Sequence, residues 1–596
     1  MKANPMQTRQ TSKNTKRMPT SCWLAATVIG LAVNTLGPCA GGAEPAAAAP
    51  PASSSSGPEL FERKHFNVIV VLADDQGYCD VGFTGHPQLK TPQIDDLAHR
   101  GVQFTQFYAQ SVCSPTRAAL MTGRDYYRTG VTDTAAGCSQ VAADEYTLAE
   151  AFHDHGYKTG IFGKWHLGDN YPYRPIDQGF DESVVIKGGM IAKDAPLRGY
   201  FDPLLIHNGQ PEQYMGYCTD IFTDKAIEFI SKSGSKPFFI YLATNTPHTP
   251  RIAPEKYAQP YKDMGLSEET SHFYGMIANI DDNLGRVKKV LADRGLSQNT
   301  IIVYLGDNGT PHHGMPDHYT GLRGKKCEPY DGGIKVPFVI SVPGLNTGRK
   351  VDRIASVNDI MPTLLDSCAI ALPEHLKLDG KSLLPLIQGD APQWPDRTLF
   401  FQFHRGDAPN RYWQIAVRRQ RYKLVRWLTS ERKPGGEKQM FELYDMANDP
   451  LEKNDLAKEC PEEVASLKSA YDSWFDQINS DRGFKALPIF VGTDRENPVR
   501  LTAQSYRRNR CFELDFKSAG PYRITLDFGH TIAKPCSAFV KIGDRTFETK
   551  VVGGASQAIF DNIVLDQGRT TLEAWRMAGE KRICATVTIE QLAANK

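Results

Sequence analysis

Nowhere does this 596-residue chain carry the roughly 20 successive apolar residues that a membrane-crossing helix needs. The run CWLAATVIGLAVNTLG (22–37) is too short and too polar for one. Cysteine is sparse: twelve are scattered along the chain, none in CxxC spacing, which excludes a disulfide scaffold and a cysteine-held zinc site. No HExxH is present to hold a metal through histidines. Neither sign of charge is in excess, with 69 Lys and Arg against 68 Asp and Glu, so bulk electrostatics offers no grip on nucleic acid or an anionic membrane. Internal repeats are also missing, which removes solenoids and propellers.

What is present begins with a basic N-terminus free of acidic residues, MKANPMQTRQTSKNTKR, followed by the apolar run and a small-residue stretch. This order reads as an export signal over 1–43, cleaved near Ala43, with an Ala/Pro/Ser linker over 44–60. Pro38 disfavours a lipid anchor on Cys39. A periplasmic or extracellular protein is expected, in which one or two disulfides are possible, with Cys511, Cys536 and Cys584 the best placed.

The body opens on HFNVIVVLADDQG (65–77), an unbroken apolar run closed by two acids and a glycine, as a buried parallel strand would be. TPQIDDLAHRG (91–101) reads as a helix, and GMIANIDDNLGRVKKVLADRGL (275–296) sets Ile277, Ile280, Leu284, Val287 and Leu291 on one helical face. PFFIYLATNTPH (237–248) and NTIIVYLGDNG (299–309) are further strands ending in polar residues. Strand and helix alternate, predicting an α/β fold with a mostly parallel sheet whose ligands gather beyond the carboxyl ends of the strands. The spacing changes later: a catalytic domain is expected over 61–394, a smaller antiparallel subdomain over 395–485, and a β-sandwich-like unit over 486–596 with period-2 alternation.

Two acidic strand ends, Asp74 with Asp75 and Asp307 with Asn308, offer oxygen donors suited to a hard cation such as Ca²⁺. Lys164, His166, His248, Arg323, Lys325 and Lys326 lie in other strand-end or loop segments, where they would surround a tetrahedral oxyanion ester. In SVCSPTRAALMTGR (111–124), Ser114 suits an N-cap and Pro115 a first helical position, so Cys113 faces the positive end of a helix. A low-pKa thiolate is one reading. The Cys-x5-Arg of a thiolate phosphatase is absent, since position 119 is Ala, and a thiolate is a poor partner for a hard cation.

The block CSPTRAALMTGR resembles the signature of the type I sulfatases, in which the cysteine of Cys-x-Pro-x-Arg becomes formylglycine (3-oxoalanine) after translation. LADDQGYCDVG, GYKTGIFGKWHLG, TNTPHTP, GDNGT, KCEPYDGGIKVPF and NDIMPTLL follow the same family's pattern, and the likeness runs from about 65 to 480. It implies an alkaline-phosphatase-like fold with a mixed, mostly parallel central sheet flanked by helices, an antiparallel C-terminal subdomain and, here, an extra all-β domain. Carried over, Cys113 as the formylglycine hydrate is the nucleophile: one hydroxyl attacks sulfur and the other later expels sulfate. Asp74, Asp75, Asp307, Asn308 and residue 113 match the Ca²⁺ site. Arg117 and Lys164 match the groups that hold formylglycine ionised, and His166 the group that bonds its other hydroxyl. His248 and Lys326 match the sulfate contacts, His248 as general acid. Asp331 and Lys335 depart from the commoner Glu and Arg, which is expected to be mild.

The resemblance also implies a formylglycine-generating enzyme as maturation partner. The substrate is expected to be a sulfated saccharide, cleaved by exo action at galactose- or N-acetylgalactosamine-type units. His313, Arg323, His404 and Arg405, in loops outside the shared blocks, are candidates to bind sugar hydroxyls. The C-terminal β unit is read as a brace, because no exposed aromatic platform is evident in it. Two alternatives stay open: a phosphonate or phosphate ester hydrolase on the same scaffold, and a non-catalytic glycan-binding pseudo-sulfatase.

Overall fold

The computed structural model describes residues 64–593 apart from 135–136, 192–198, 346, 390, 392–393, 407, 428–440, 503–504, 506–510, 579–580 and 584–585. The expected export signal and linker lie outside the described residues, as does Cys584. No described helix is long and apolar enough to cross a membrane.

Ten strands form the central sheet: β1 (Asn67–Ala73), β2 (Val102–Phe104), β3 (Lys158–Lys164), β4 (Glu182–Ile186), β5 (Leu204–His207), β6 (Gln210–Gln213), β7 (Phe238–Ala243), β8 (Thr300–Gly306), β9 (Phe338–Ser341) and β10 (Arg349–Val351). Their spatial order is β10-β2-β9-β8-β1-β7-β3-β4-β5-β6. The five central strands, β8-β1-β7-β3-β4, are all parallel, while antiparallel pairings appear towards both edges. β1 is buried at every residue, as a strand covered on both faces must be. Its alternate residues feed two cores. Val68, Val70 and Leu72 pack with Leu120 and Leu364, from the helices Cys113–Thr122 and Ile360–Ser367. Ile69 and Val71 pack with Phe222, Ile280 and Leu284, from Cys218–Lys232 and Glu268–Asp293. The helical face predicted from Ile277 to Leu291 is buried throughout.

Beyond the sheet, Leu399–Gln402, Ile415–Arg418, Tyr422–Arg426 and Glu442–Asp445 form an antiparallel four-stranded sheet, followed by the helix Pro461–Arg482. A buried ion triad fastens this sheet to the catalytic core. Lys423 Nζ lies 2.7 Å from both Asp331 Oδ1 and Glu452 Oε1, and Asp331 N–H donates to Glu452 Oε2 at 2.9 Å. Asp331 and Lys335 are thus absorbed structurally, with the Lys335 ammonium over the Tyr78 ring. Lys423→Ala strands two buried carboxylates and is expected to destabilise the protein by about 3–5 kcal/mol. Denaturant unfolding checks this, and a loss of about 1 kcal/mol or less, the worth of an exposed pair, would contradict it.

The last strands form two sheets around a core of their own that includes Leu514, Ile524, Leu526, Val540, Val587 and Ile589. Strand Gly520–Asp527 alternates buried and half-buried positions, the period-2 pattern of one covered face. The disulfide expected in this region is not formed at Cys536. It is a free thiol that starts a strand opposite Val551, so no cysteine faces it across the pair.

Candidate active site

Four neighbouring parallel strands deliver the site at their carboxyl ends. Asp74 and Asp75 follow β1, Asp307 and Asn308 follow β8, His248 lies in the loop after β7, and Lys164 closes β3, with His166 two residues on. The strand register brings together residues far apart in sequence. Asp74 N–H donates to Thr246 O at 2.9 Å and Asp307 N–H to Ala73 O at 3.0 Å, so the three loops are stitched by backbone bonds. Gly309 permits a close approach: a Cβ there would stand 1.9 Å from Gly332 O.

Cys113 is itself the first residue of the helix Cys113–Thr122, and Val112 is the N-cap with no side-chain cap bond. Ser114 and Pro115 therefore sit inside the first turn, each two positions later than its capping preference predicts. Proline is tolerated there because the first-turn N–H groups have no helical acceptor. Cys113 is 3% exposed. Burial pushes its thiol above the ordinary cysteine value although Lys164 and Lys326 oppose this, so the environment does not make a thiolate.

Around Cys113 the charged groups interlock. Lys326 Nζ lies 3.7 Å from Cys113 Sγ and pairs closely with Asp75 Oδ1. Lys164 Nζ donates to Asp74 Oδ2 at 2.7 Å. Arg117 donates from Nη2 to Asp307 Oδ2 at 2.8 Å and from Nη1 to Lys164 O at 2.7 Å. His248 Nδ1 lies 2.8 Å from Thr249 O, a carbonyl to which it donates, and its Nε2 lies 3.7 Å from Asp75 Oδ2. His166 Nε2 is 2.8 Å from Thr134 O, and its buried Nδ1 has no partner. Asp75, His166 and Cys327 take left-handed backbone angles (φ 70°, 61° and 72°), strain that concentrates where loops must aim side chains.

The donor set suits a hard cation. Asp74, Asp75, Cys113 and His248 bring ligand atoms within 4.8 Å of one another. Asp74 Oδ1 and Asn308 Oδ1 are buried acceptors without a hydrogen-bond partner, as oxygens reserved for a metal would be. Burial alone would raise the Asp74 carboxyl, but Lys164, His248, Arg117 and Lys326 hold it far below the carboxylate range. Burial and then the Asp74 charge push Asp307 up to about 7, the mark of a site crowded with negative charge. Asp307 spends Oδ1 on Asp75 N–H and Oδ2 on Arg117, so it both faces the acid cluster and anchors the arginine.

The four loop candidates for sugar binding part company. Arg405 donates to Asp133 Oδ1 and Thr134 Oγ1, both at 2.6 Å, beside the carbonyl that holds His166. His404 is buried, with Nδ1 on Tyr127 OH and Nε2 on Gly406 O. His313 lies in an exposed loop. Arg323 makes packing contacts. It stacks on Tyr330 and donates to Tyr444 OH and Glu452 O, bracing the four-stranded sheet.

Sequence reasoning missed Asp80, the third acid of DDQGYCD. Buried, it accepts from Gly77 N–H and from the Thr310 hydroxyl, tying the loop after β1 to the loop after β8. Its place in the same loop as the acidic pair was the available signal. Asp133, which holds Arg405, had none.

The Sulfatase family profile matches residues 66–369, just over half of the chain. The chain belongs to the sulfatase family. It is a sulfuric ester hydrolase by that membership, and the profile described as N-sulphoglucosamine sulphohydrolase, C-terminal, matches residues 324–474. Among its relatives, N-acetylgalactosamine-6-sulfatase of Canis lupus familiaris is 29% identical over 395 residues, covering 61% of this sulfatase and 72% of that one. The uncharacterized sulfatase YdeN of Escherichia coli (strain K12) is 32% identical over 340 residues, covering 52% and 59%. The crystal structure of Ps i-CgsB in complex with k-i-k-neocarrahexaose superposes with a TM-score of 0.63 at 27% identity, covering 71% of this chain and 95% of that one. Both matched profile segments end before the C-terminal β unit begins.

Proposed function

We propose that this sulfatase hydrolyses sulfate monoesters on carbohydrates outside the cytoplasm, releasing sulfate by exo action from galactose- or N-acetylgalactosamine-type units. The observation that carries the chemistry is residue 113, held at a helix start among three cations and next to unpartnered carboxylate and amide oxygens. A soft sulfur is mismatched to that oxygen donor set, whereas an oxygen group at the same position fits it. Formylglycine at residue 113, in its hydrated form, supplies the nucleophilic oxygen. Asp74, Asp75, Asp307, Asn308 and residue 113 would hold a Ca²⁺ ion, which when bound would supply positive charge beside the group at residue 113.

The chain's own groups do the rest. Arg117 and Lys164, each clamped by an aspartate, neutralise negative charge at residue 113. His166, fixed through Nε2, leaves Nδ1 to bond a hydroxyl there. Lys326 takes a non-bridging sulfate oxygen. With Nδ1 of His248 engaged by Thr249 O, Nε2 is the nitrogen that protonates the departing alkoxide. Burial lowers the His248 pKa, but Asp75 and Asp74 support its protonated form.

The carbohydrate reading draws on the relative named N-acetylgalactosamine-6-sulfatase and on the neighbour solved with k-i-k-neocarrahexaose. The export-like N-terminus agrees, since a polymeric glycan has to be met outside the cell. The test is release of sulfate from a panel of sulfated saccharides, with matched aryl sulfate and aryl phosphate alongside. Sulfate release from saccharides, and aryl sulfate turned over well ahead of aryl phosphate, is expected. Preference for the phosphate would favour the phosphoester hydrolase, turnover of aryl sulfate alone would remove the carbohydrate, and glycan binding without any hydrolysis would indicate a pseudo-sulfatase.

A further inference from the structure

A cleft of about 700 Å³ opens where the far edge of the catalytic sheet meets the C-terminal β unit, within the range of ligand pockets. One wall is the end of β4 with the β5–β6 hairpin, and the other is the segment 494–502 of the C-terminal unit. The seam is tightly made. Glu496 accepts from Tyr171 N–H at 2.7 Å and Asn170 Nδ2 at 2.9 Å, Arg174 donates to Arg495 O at 3.3 Å, and Tyr173 OH donates to Pro488 O at 2.7 Å.

The cleft begins beside the catalytic histidine. Gly168 and Asp169, which follow His166 in sequence, line it, and they also line a small neighbouring cavity with His166, Gly188 and Ser505. Gly188 N–H donates to Asp169 Oδ1 at 3.0 Å, and Gly189 packs so closely on the His166 ring that a Cβ would lie 2.4 Å from it. Lys187, directly before these glycines, faces the cleft. The turn that supports His166 and the cleft wall are therefore one piece of chain.

The chemistry of the lining is that of an anionic, ring-bearing ligand. Backbone N–H groups already occupy the carboxylates of Asp169, Asp202 and Glu496, leaving Asp494 as the one lining acid without such a bond among the described residues. The cations are less committed. Arg174 is paired with Asp177, but among the described residues Lys187 Nζ donates only to Arg500 O, at 3.4 Å, and the exposed Arg495 and Arg500 side chains form no ion pair. Apolar surface also lines the cleft: Leu204 is 60% exposed and Pro211 is exposed as well. Apolar ring faces and anionic substituents on one chain would find both partners here.

We propose that this cleft holds the saccharide units beyond the one being desulfated, with the C-terminal β unit as its outer wall, so that the substrate is a sulfated oligosaccharide chain. The unit then contributes to recognition as well as bracing, without needing an aromatic platform. The proposal rests on the carbohydrate sulfatase reading. Its test measures kcat/KM on a sulfated monosaccharide, tetrasaccharide and hexasaccharide of one repeat, together with the affinity of the hexasaccharide for the Cys113→Ala protein.

The efficiency is expected to rise about tenfold or more with length, the worth of one charge-assisted contact. In the double variant Lys187→Ala/Arg500→Ala the hexasaccharide-to-monosaccharide ratio should fall by about the same factor, and hexasaccharide binding should weaken in parallel. Both side chains reach solvent, and an unchanged melting temperature shows that the fold is kept. Equal efficiency at every length, or a length dependence that survives the double variant, overturns the cleft while leaving the carbohydrate reading intact. Turnover of aryl sulfate with neither hydrolysis nor binding of any saccharide overturns both.

Discussion

Replacing Cys113 by alanine is expected to abolish sulfate release, by a factor on the order of 10⁴–10⁶, as loss of a covalent nucleophile does in other hydrolases. The size follows from the arrangement around residue 113. Lys326, Lys164 and Arg117 are committed to that position or to the acids beside it, and no other nucleophile is placed among them by the observed contacts. The substitution removes one sulfur atom from the first turn of a helix that is otherwise held by Ala118, Leu120 and Met121 in the core, so the fold is expected to stay intact. Initial rates on an aryl sulfate, with circular dichroism as the control, check this. A folded alanine variant retaining rates near those of the parent would remove residue 113 from the chemistry.

Stripping divalent cations is expected to cost about 10³-fold in rate, several kcal/mol of charge stabilisation at the reacting group. Added Ca²⁺ should restore it. The same ion should raise the melting temperature, since a ligand at about 100 times its Kd adds roughly 2.7 kcal/mol to folded-state stability. Asp74 and Asn308 each keep a buried oxygen without a hydrogen-bond partner, and the carboxylates of this cluster are paired with Lys164, Lys326 and Arg117, with His248 nearby. Asp74→Asn should lose the calcium-dependent shift in melting temperature along with the activity. Full activity after chelation and dialysis, with no thermal response to Ca²⁺, would contradict the site.

The strand ends were the most legible part of this molecule. A buried parallel strand needs an unbroken apolar run, and the polar residue that ends the run falls at the sheet's carboxyl edge, so Asp74, Asp75, Asp307 and Asn308 announce their place. Contacts across the chain were less legible. Asp80 reaches Thr310 over a separation of 230 residues, and Asp133 reaches Arg405 over 272, distances at which no periodicity carries information. Arg323 lies in a polar loop that reads as substrate-facing, and only the packing of Tyr330 and Tyr444 against it reveals a brace. The helix start was misplaced because Ser and Pro preferences point to 114 and 115, while Thr116 N–H already bonds back to Val112 O.

The most direct test of the central claim is to plot sulfate-release rate against the fraction of chains that carry an aldehyde at residue 113, measured by mass spectrometry of the peptide spanning 111–124 in preparations made with and without a maturation enzyme. A rate proportional to that fraction, falling to background when every chain keeps its thiol, is the expected result. A full rate from preparations in which residue 113 is an intact cysteine would contradict the account.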